Sequence, residues 1–267
     1  MNAASENPIK PRVAVHKFSS CDGCQLAFLN LGEDLLELAS RVELVHFAEA
    51  GPLDPDAEID VSFVEGSVST PEDLERIQHI RAHSRFLIAI GACATSGGIQ
   101  GLRNGVFGAQ WVTQIYSHPE AISSLERSTP ISSHVNVDFE LWGCPINSQQ
   151  MLAAVKSLLL GVTPRDNADK VCTECKRHGY PCVMVSQGIA CMGPVTRAGC
   201  GALCPSLGRD CYGCYGPAEN ANTDALAAQF RSQGLAPEAI ARRFQSINSQ
   251  APVFLAAAEK IRAGSDE

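Results

Sequence analysis

An α/β fold, a doubly wound parallel sheet followed by a cysteine-rich segment with little regular structure and then C-terminal helices, is what this sequence predicts. Three observations carry it: strand-like and helix-like runs alternate over the first 160 residues, cysteine, glycine and proline then crowd together, and helical patterning returns near residue 222. In chain order, 12–18 (RVAVHKF), 42–47 (VELVHF), 59–65 (IDVSFVE), 86–91 (FLIAIG) and 138–142 (DFELW) are short runs rich in β-branched and aromatic residues, bounded by turn formers, and read as strands. Segments 25–39, 71–83 and 147–160 have helical spacing of apolar residues. Strands separated by helices pair in parallel, because a parallel neighbour is reached only through a crossover, and the helices then cover both faces.

After Gly161 the composition shifts. Thr163-Pro164-Arg165-Asp166 reads as a linker, which divides the chain into domains of 1–161 and 162–267. Residues 172–217 show little periodicity and are expected to build no hydrophobic core, so that bound metal organises them. The helical runs DALAAQFRSQ and APEAIARRFQSI are expected to wrap that segment or to meet a partner.

Charge and hydropathy exclude several classes. With 21 Lys and Arg against 29 Asp and Glu the net charge is −8, and no basic run offers a nucleic-acid or anionic-membrane footprint. No apolar run is long enough to span a bilayer, and stretches such as Phe86–Ile90 suit buried strands. The start carries no twin arginine and no apolar leader core, so a cytoplasmic location is expected. In that reducing compartment closely spaced cysteines point to metal or redox chemistry rather than to disulfides.

Of twelve cysteines, four lie within the first 144 residues and eight between Cys172 and Cys214, enough for three tetrathiolate sites of the kind a 4Fe-4S cluster uses. A row of such clusters carries single electrons. Cys21 and Cys24 follow the first expected strand, Cys93 the fourth and Cys144 the fifth, so all four fall beyond carboxyl ends of parallel strands, where open α/β sheets bind ligands. Alone, Cys21-Asp22-Gly23-Cys24 could be a thioredoxin-like pair, but such an enzyme needs neither Cys93 nor Cys144. Zinc is the other rival, since the pairs within 172–214 could form a ribbon, which would leave the strand-end quartet unexplained. Gly23 and Gly98 are expected to let backbone approach the cluster sulfurs. Gly97-Gly98 is not a phosphate loop, because no lysine follows it.

The motifs CDGC (21–24), VEGSV (64–68), GACATSGG (91–98) and GCPIN (143–147), with Cys191-Met-Gly-Pro-Val-Thr-Arg-Ala-Gly-Cys200 and Cys211-Tyr-Gly-Cys214-Tyr-Gly-Pro217, resemble in order and spacing the small subunits of NiFe hydrogenases over about residues 12–217. The resemblance implies a flavodoxin-like first domain and an iron–sulfur second domain. It further implies a proximal 4Fe-4S cluster on Cys21, Cys24, Cys93 and Cys144, a distal one on Cys172, Cys175, Cys182 and Cys191, and a medial one on Cys200, Cys204, Cys211 and Cys214. The NiFe centre would belong to a separate large subunit, docking on an apolar patch around Cys21, Gly23 and Glu65, and this chain would be a non-catalytic part of the enzyme.

Cys172 stands where exported relatives usually have histidine and Cys204 where many have proline. A thiolate in place of neutral imidazole lowers a cluster's potential, which suits a soluble low-potential acceptor, NAD(P) through a flavin subunit and further iron–sulfur subunits. Gly23 and Gly98 occupy the places of the extra cysteines of oxygen-tolerant relatives, so no oxygen-protective proximal cluster is expected. The alternatives are the related 20 kDa subunit of respiratory complex I, whose adjacent cysteine pair is missing here, and a stand-alone iron–sulfur carrier. Glu65 is left between two readings, tuning the proximal cluster or relaying protons, and capping a helix. His178 is expected to be a surface or hydrogen-bonding residue rather than a ligand.

Overall fold

The computed structural model describes residues 10–49, 51, 54, 56–105, 108–165 and 168–264. Strands β1 (Arg12–Lys17), β2 (Glu43–Phe47), β3 (Ile59–Glu65), β4 (Ser84–Ile90) and β5 (Phe139–Leu141) form one sheet in the order β2-β1-β3-β4-β5, every pairing parallel. The chain leaves β1 toward β2 on one side and returns to β3 on the other, so the topological switch lies at the carboxyl ends of β1 and β3.

Alternation along the strands feeds two cores. Phe63, Ile88 and Ile90 face α1 (Gly23–Leu29), α2 (Glu33–Arg41) and α6 (Ser148–Leu159), while Val64, Leu87 and Ala89 face the side of α3 (Pro71–Ala82) and α4 (Gly91–Ser96). Phe28 of α1 packs edge-on against Phe63 at 5.1 Å and Phe47 at 6.1 Å between ring centroids. Helix α3 starts with a capping box, Thr70 accepting from the Asp73 N–H and Asp73 from the Thr70 N–H, with Pro71 in its first turn.

Three details depart from the sequence expectation. The segment 25–39 is two helices, because Gly32 takes φ +60 between them. The fourth strand begins at Ser84, two residues early, and runs directly into α4. Helix α5 (Gly108–Ile115) falls in a stretch with no expected element.

Beyond the linker come α7 (Val171–Arg177), α8 (Val183–Ser186), α9 (Leu203–Ser206), α10 (Thr223–Ser232), α11 (Pro237–Gln245) and α12 (Pro252–Ala263). The expectation that 172–217 lacks a hydrophobic core is corrected here. Val183, Met192 and Val195, beside Val171, are buried together with Leu226, Phe230, Ile240, Phe244, Phe254 and Ile261. The helices supply an apolar wall, and the cysteine-rich turns insert their few apolar side chains into it.

The two halves are tied by the turn between α11 and α12. Asn248 accepts from Ser96 Oγ at 2.8 Å and donates to the Gly213 carbonyl at 2.7 Å, and Ser249 Oγ donates to the Gly98 carbonyl at 2.8 Å. Asn248 and Ser249 are buried. No helix among the described residues is long and apolar enough to cross a membrane.

Candidate metal centres

The first group of thiols sits at the switch point. Cys21 and Cys24 flank the start of α1, where Asp22 takes φ 65 and is held by Lys17 Nζ at 2.8 Å. Glu65, ending β3, is 2% exposed and accepts the N–H groups of Cys24 at 3.0 Å and Gln25 at 3.3 Å. It therefore closes the amino end of α1, as the capping reading required, and fixes the Cys24 backbone. Burial raises its carboxyl pKa, and its charge is felt at Cys24, Cys93 and Cys144. Being buried, Glu65 takes no part in an exposed patch, which corrects that expectation. The exposed apolar side chains of this neighbourhood are Leu26, Ile99 and Leu102.

Cys93 is carried by α4, and the Ala92 N–H donates to the Gly143 carbonyl at 2.7 Å, joining that helix to the Cys144 loop. Gln100 accepts from Cys93 Sγ at 3.4 Å and donates to the Ser19 carbonyl at 3.0 Å. The glycines divide. At Gly98 (φ +59) a Cβ would lie 2.7 Å from Cys93 Sγ and 2.9 Å from Cys93 Cα, so no side chain fits. At Gly23 a Cβ would stand 3.4 Å from Cys21 Sγ, an ordinary contact, and nothing steric compels glycine there. The sequence reading passed over Gly91, where φ is +83 and a Cβ would meet Cys24 Sγ at 2.4 Å. Its signal was a glycine where a strand turns straight into a short helix bearing a cysteine.

The remaining eight thiols fall into two groups. Burial and then Cys191, Cys175 and Cys182 push the Cys172 thiol up to about 11, so these four thiols are near one another. Gly193 lies under it, with a Cβ position 3.4 Å from Cys172 Sγ and 3.5 Å from Cys191 Sγ. The Cys214 thiol is pushed up to about 12 by burial and then by Cys200, Cys144 and Cys204, and Cys211 rises far above its ordinary value through burial and then Cys191 and Cys214. Cross-links join the groups. Cys214 feels Cys144 of the first group, while Cys175 feels Cys200 and the Cys211 N–H donates to Cys191 Sγ at 3.2 Å. Thiols of the 200–214 segment thus neighbour both Cys144 and the thiols of 172–191.

Two further residues escaped the sequence reading. Glu174, inside the Cys172–Cys175 spacing, accepts the N–H groups of Gly199 at 2.8 Å, Gly201 at 3.2 Å and Ala202 at 3.0 Å, clasping the loop that bears Cys200. Tyr215 is buried with its phenol pKa raised by burial and then by Cys200, Cys214, Glu174 and Cys24, which puts it between the first and middle groups. His178 is exposed, stacks on Tyr180 at 5.2 Å and terminates α7.

The donor chemistry fits iron–sulfur clusters. Buried thiolates repel one another and need a cationic group to stay ionised, which is the meaning of the raised thiol pKa values. Among the described residues no three His, Cys, Asp or Glu side chains close on a point as ligands of one metal ion do. A cage that brings its own sulfides takes thiolates set further apart than a lone ion does.

A parallel sheet with thiols gathered at its switch point, continued by a thiol-rich second half, defines the class: an iron–sulfur subunit of a redox complex. A family profile described as NADH ubiquinone oxidoreductase, 20 Kd subunit, matches residues 21–158. Sulfhydrogenase 2 subunit delta of Pyrococcus furiosus is 34% identical over 235 residues, covering 88% of this chain and 98% of that protein. NAD-reducing hydrogenase HoxS subunit delta of Cupriavidus necator is 29% identical over 169 residues, covering 57% of this chain and 80% of that one. The solved structure of an NAD+-reducing [NiFe]-hydrogenase in the H2-reduced state aligns with TM-score 0.54 and 28% identity over 58% of this chain and 94% of the matched one. The chain belongs to the 20 Kd subunit family and, within it, to the small, delta-type subunits of NiFe hydrogenases.

Proposed function

We propose that this chain is the electron-relay subunit of a hydrogenase, holding three 4Fe-4S clusters in a row between a NiFe-bearing large subunit and a soluble low-potential acceptor. The observation that supports the reading is a link between each thiol group and the next, Cys214 feeling Cys144 and the Cys211 N–H donating to Cys191 Sγ; on this reading Cys21, Cys24, Cys93 and Cys144 would hold the proximal cluster, Cys200, Cys204, Cys211 and Cys214 the medial one and Cys172, Cys175, Cys182 and Cys191 the distal one. When bound, such clusters accept and release one electron each.

The chain's own residues hold the thiolates, exclude water and present the two ends. Cys21 is exposed beside Leu26, Ile99 and Leu102, an apolar surface suited to the large subunit, and Cys182 is exposed at the opposite end of the row. Buried Tyr215, Met192 and Val195 keep the interior of the second half dry. Cys172 and Cys204 complete two all-thiolate sites, and the likeness to a subunit of an NAD-reducing enzyme supports a nicotinamide acceptor reached through a flavin subunit. Against the respiratory alternative, the family profile ends at residue 158, whereas the sulfhydrogenase relative extends across the cysteine-rich half.

Elemental analysis of anaerobically purified protein tests this. About twelve irons per chain and no stoichiometric zinc are expected from three cubane sites. About two zincs, or iron for one cluster alone, would overturn it. Redox-titrated EPR of Cys172→His should show one signal moving to higher potential while the others stay. Unchanged potentials would remove Cys172 from the distal site.

A further inference from the structure

Gln100 makes two contacts, and one of them does not suit Cys93 as a metal ligand. Its Oε1 accepts from Cys93 Sγ at 3.4 Å and its Nε2 donates to the Ser19 carbonyl at 3.0 Å, so one carboxamide joins the α4 thiol to the segment leading from β1 to Cys21. The first contact needs the thiol proton, which a metal-bound sulfur does not have. A carbonyl oxygen facing a thiolate sets two electron-rich atoms against each other with no hydrogen between them.

The backbone has little freedom to move the two apart. Gln100 stands on the 3-10 helix Ile99–Gly105, where the Gly101 N–H donates to the Gly97 carbonyl at 3.0 Å and Ser249 Oγ holds the Gly98 carbonyl at 2.8 Å. Both glycines are closely covered. A Cβ on Gly98 would meet Cys93 Sγ at 2.7 Å and Gln100 Oε1 at 2.9 Å, and one on Gly101 would run into Ser249 Oγ. The carboxamide itself can turn, because the terminal torsion of a glutamine has a broad, two-fold profile. A half-turn exchanges Oε1 for Nε2 at the sulfur. The Ser19 carbonyl then loses a donor without being orphaned, since it also accepts from the Ser67 N–H at 2.9 Å and from Ser67 Oγ at 3.4 Å.

We infer that Gln100 tunes the first thiol group: when Cys93 is a cluster ligand the carboxamide is turned, and Nε2 donates to Cys93 Sγ. The inference rests on the relay reading above and adds to it one determinant of the proximal potential. An N–H directed at a ligand sulfur favours the more negative, reduced state, so Gln100 sets this site at a higher potential than its four thiolates alone would give.

The test uses the chain purified anaerobically with its large subunit and its iron. In Gln100→Leu, which fills similar space without a donor, redox-titrated EPR should show reduction of the proximal site disfavoured about tenfold, or about 59 mV for one electron, with the other two signals in place. Gln100→Glu, an acceptor only when ionised, should lower the potential at least as far. With glutamine labelled by nitrogen-15 in its side chain, pulsed EPR of the proximal signal should carry a nitrogen coupling in the wild type that is absent from Gln100→Leu. A purely structural bond to Ser19 moves neither reading. An unmoved proximal potential in Gln100→Leu at full iron, or no coupling from the labelled side chain, overturns the inference, and so does loss of the proximal iron from both variants, which would make Gln100 a brace of the cradle. Iron content separates the two readings. A wild type short of about twelve irons defeats the relay, whereas full iron with unmoved potentials defeats the Gln100 assignment alone.

Discussion

The first thiol group and the other two are built by different physics. Cys21, Cys24, Cys93 and Cys144 hang from the ends of a five-stranded sheet, and the hydrogen bonds that set their spacing belong to strands, α1 and α4. The last eight hang from helices of four to seven residues and from turns, held by one carboxylate on three amides and by apolar side chains set into α10–α12. A sheet can persist without its ligand. Turns whose polar backbone is satisfied by a few side chains depend on whatever neutralises the thiolates at their centre.

The sharpest break between the halves should come from removing metal. After anaerobic chelation, hydrogen exchange should rise to near-unprotected rates over 170–218 while β1, β3 and β4 stay protected, a difference of more than about 5 kcal/mol in local opening. Equal loss in both halves would erase the distinction.

Next in size are the crowded glycines. Gly91→Val places a Cβ at the Cys24 sulfur from a positive φ, and should cost about 3 kcal/mol or more together with one cluster, read as loss of about a third of the iron. Gly23→Ala, in ordinary contact, should cost under about 1 kcal/mol and keep all the iron. Equal effects would mean that the Gly91 contact is not what shapes the proximal cradle.

Glu174→Ala strips the acceptor from three N–H groups and should cost about 2–3 kcal/mol in the second half alone, shifting the EPR signal of the medial cluster and leaving the proximal one in place. Glu174→Gln keeps one acceptor oxygen and should recover part of the loss.

A further effect, smaller than that of Glu174→Ala, belongs to the sheet half. His16 is buried, stacked on His46 at 4.5 Å, and its pKa is lowered from 6.5 to about 3 by burial first and then by His46, Arg76 and His79. The unfolded imidazole gains its proton near pH 6.5 and the folded one only near 3, so its contribution is complete above pH 6.5 and is lost as pH falls toward 3. At pH 5 that amounts to about 2 kcal/mol, and His16→Leu should flatten the acid limb of urea-unfolding stability by that amount in the metal-free protein.

Much of the architecture was legible from short-range pattern. Short runs rich in β-branched and aromatic residues, bounded by turn formers, marked all five strands, within two residues at each end. Cysteines placed just past strands 1, 4 and 5 marked the first thiol group, because parallel topology alone brings carboxyl ends together. Glycine's freedom at Gly98 followed from its neighbour Cys93.

Other features could be decided only in three dimensions. The break at Gly32 was hidden because apolar spacing runs on across it while the backbone sign changes. That the start of α1 falls on the Glu65 carboxylate, 41 residues away from Cys24 in sequence, was one of these. Asn248, joined to Ser96 across 152 residues, and Glu174, joined to Gly199 across 25, are polar side chains whose partners are backbone groups or distant hydroxyls. A sequence records which donors and acceptors exist and how those a few residues apart will meet. Which distant pair meets depends on how the sheet, the thiol-bearing turns and the helical wall pack, and that packing minimises buried unsatisfied polar groups over the whole chain rather than along any stretch of it.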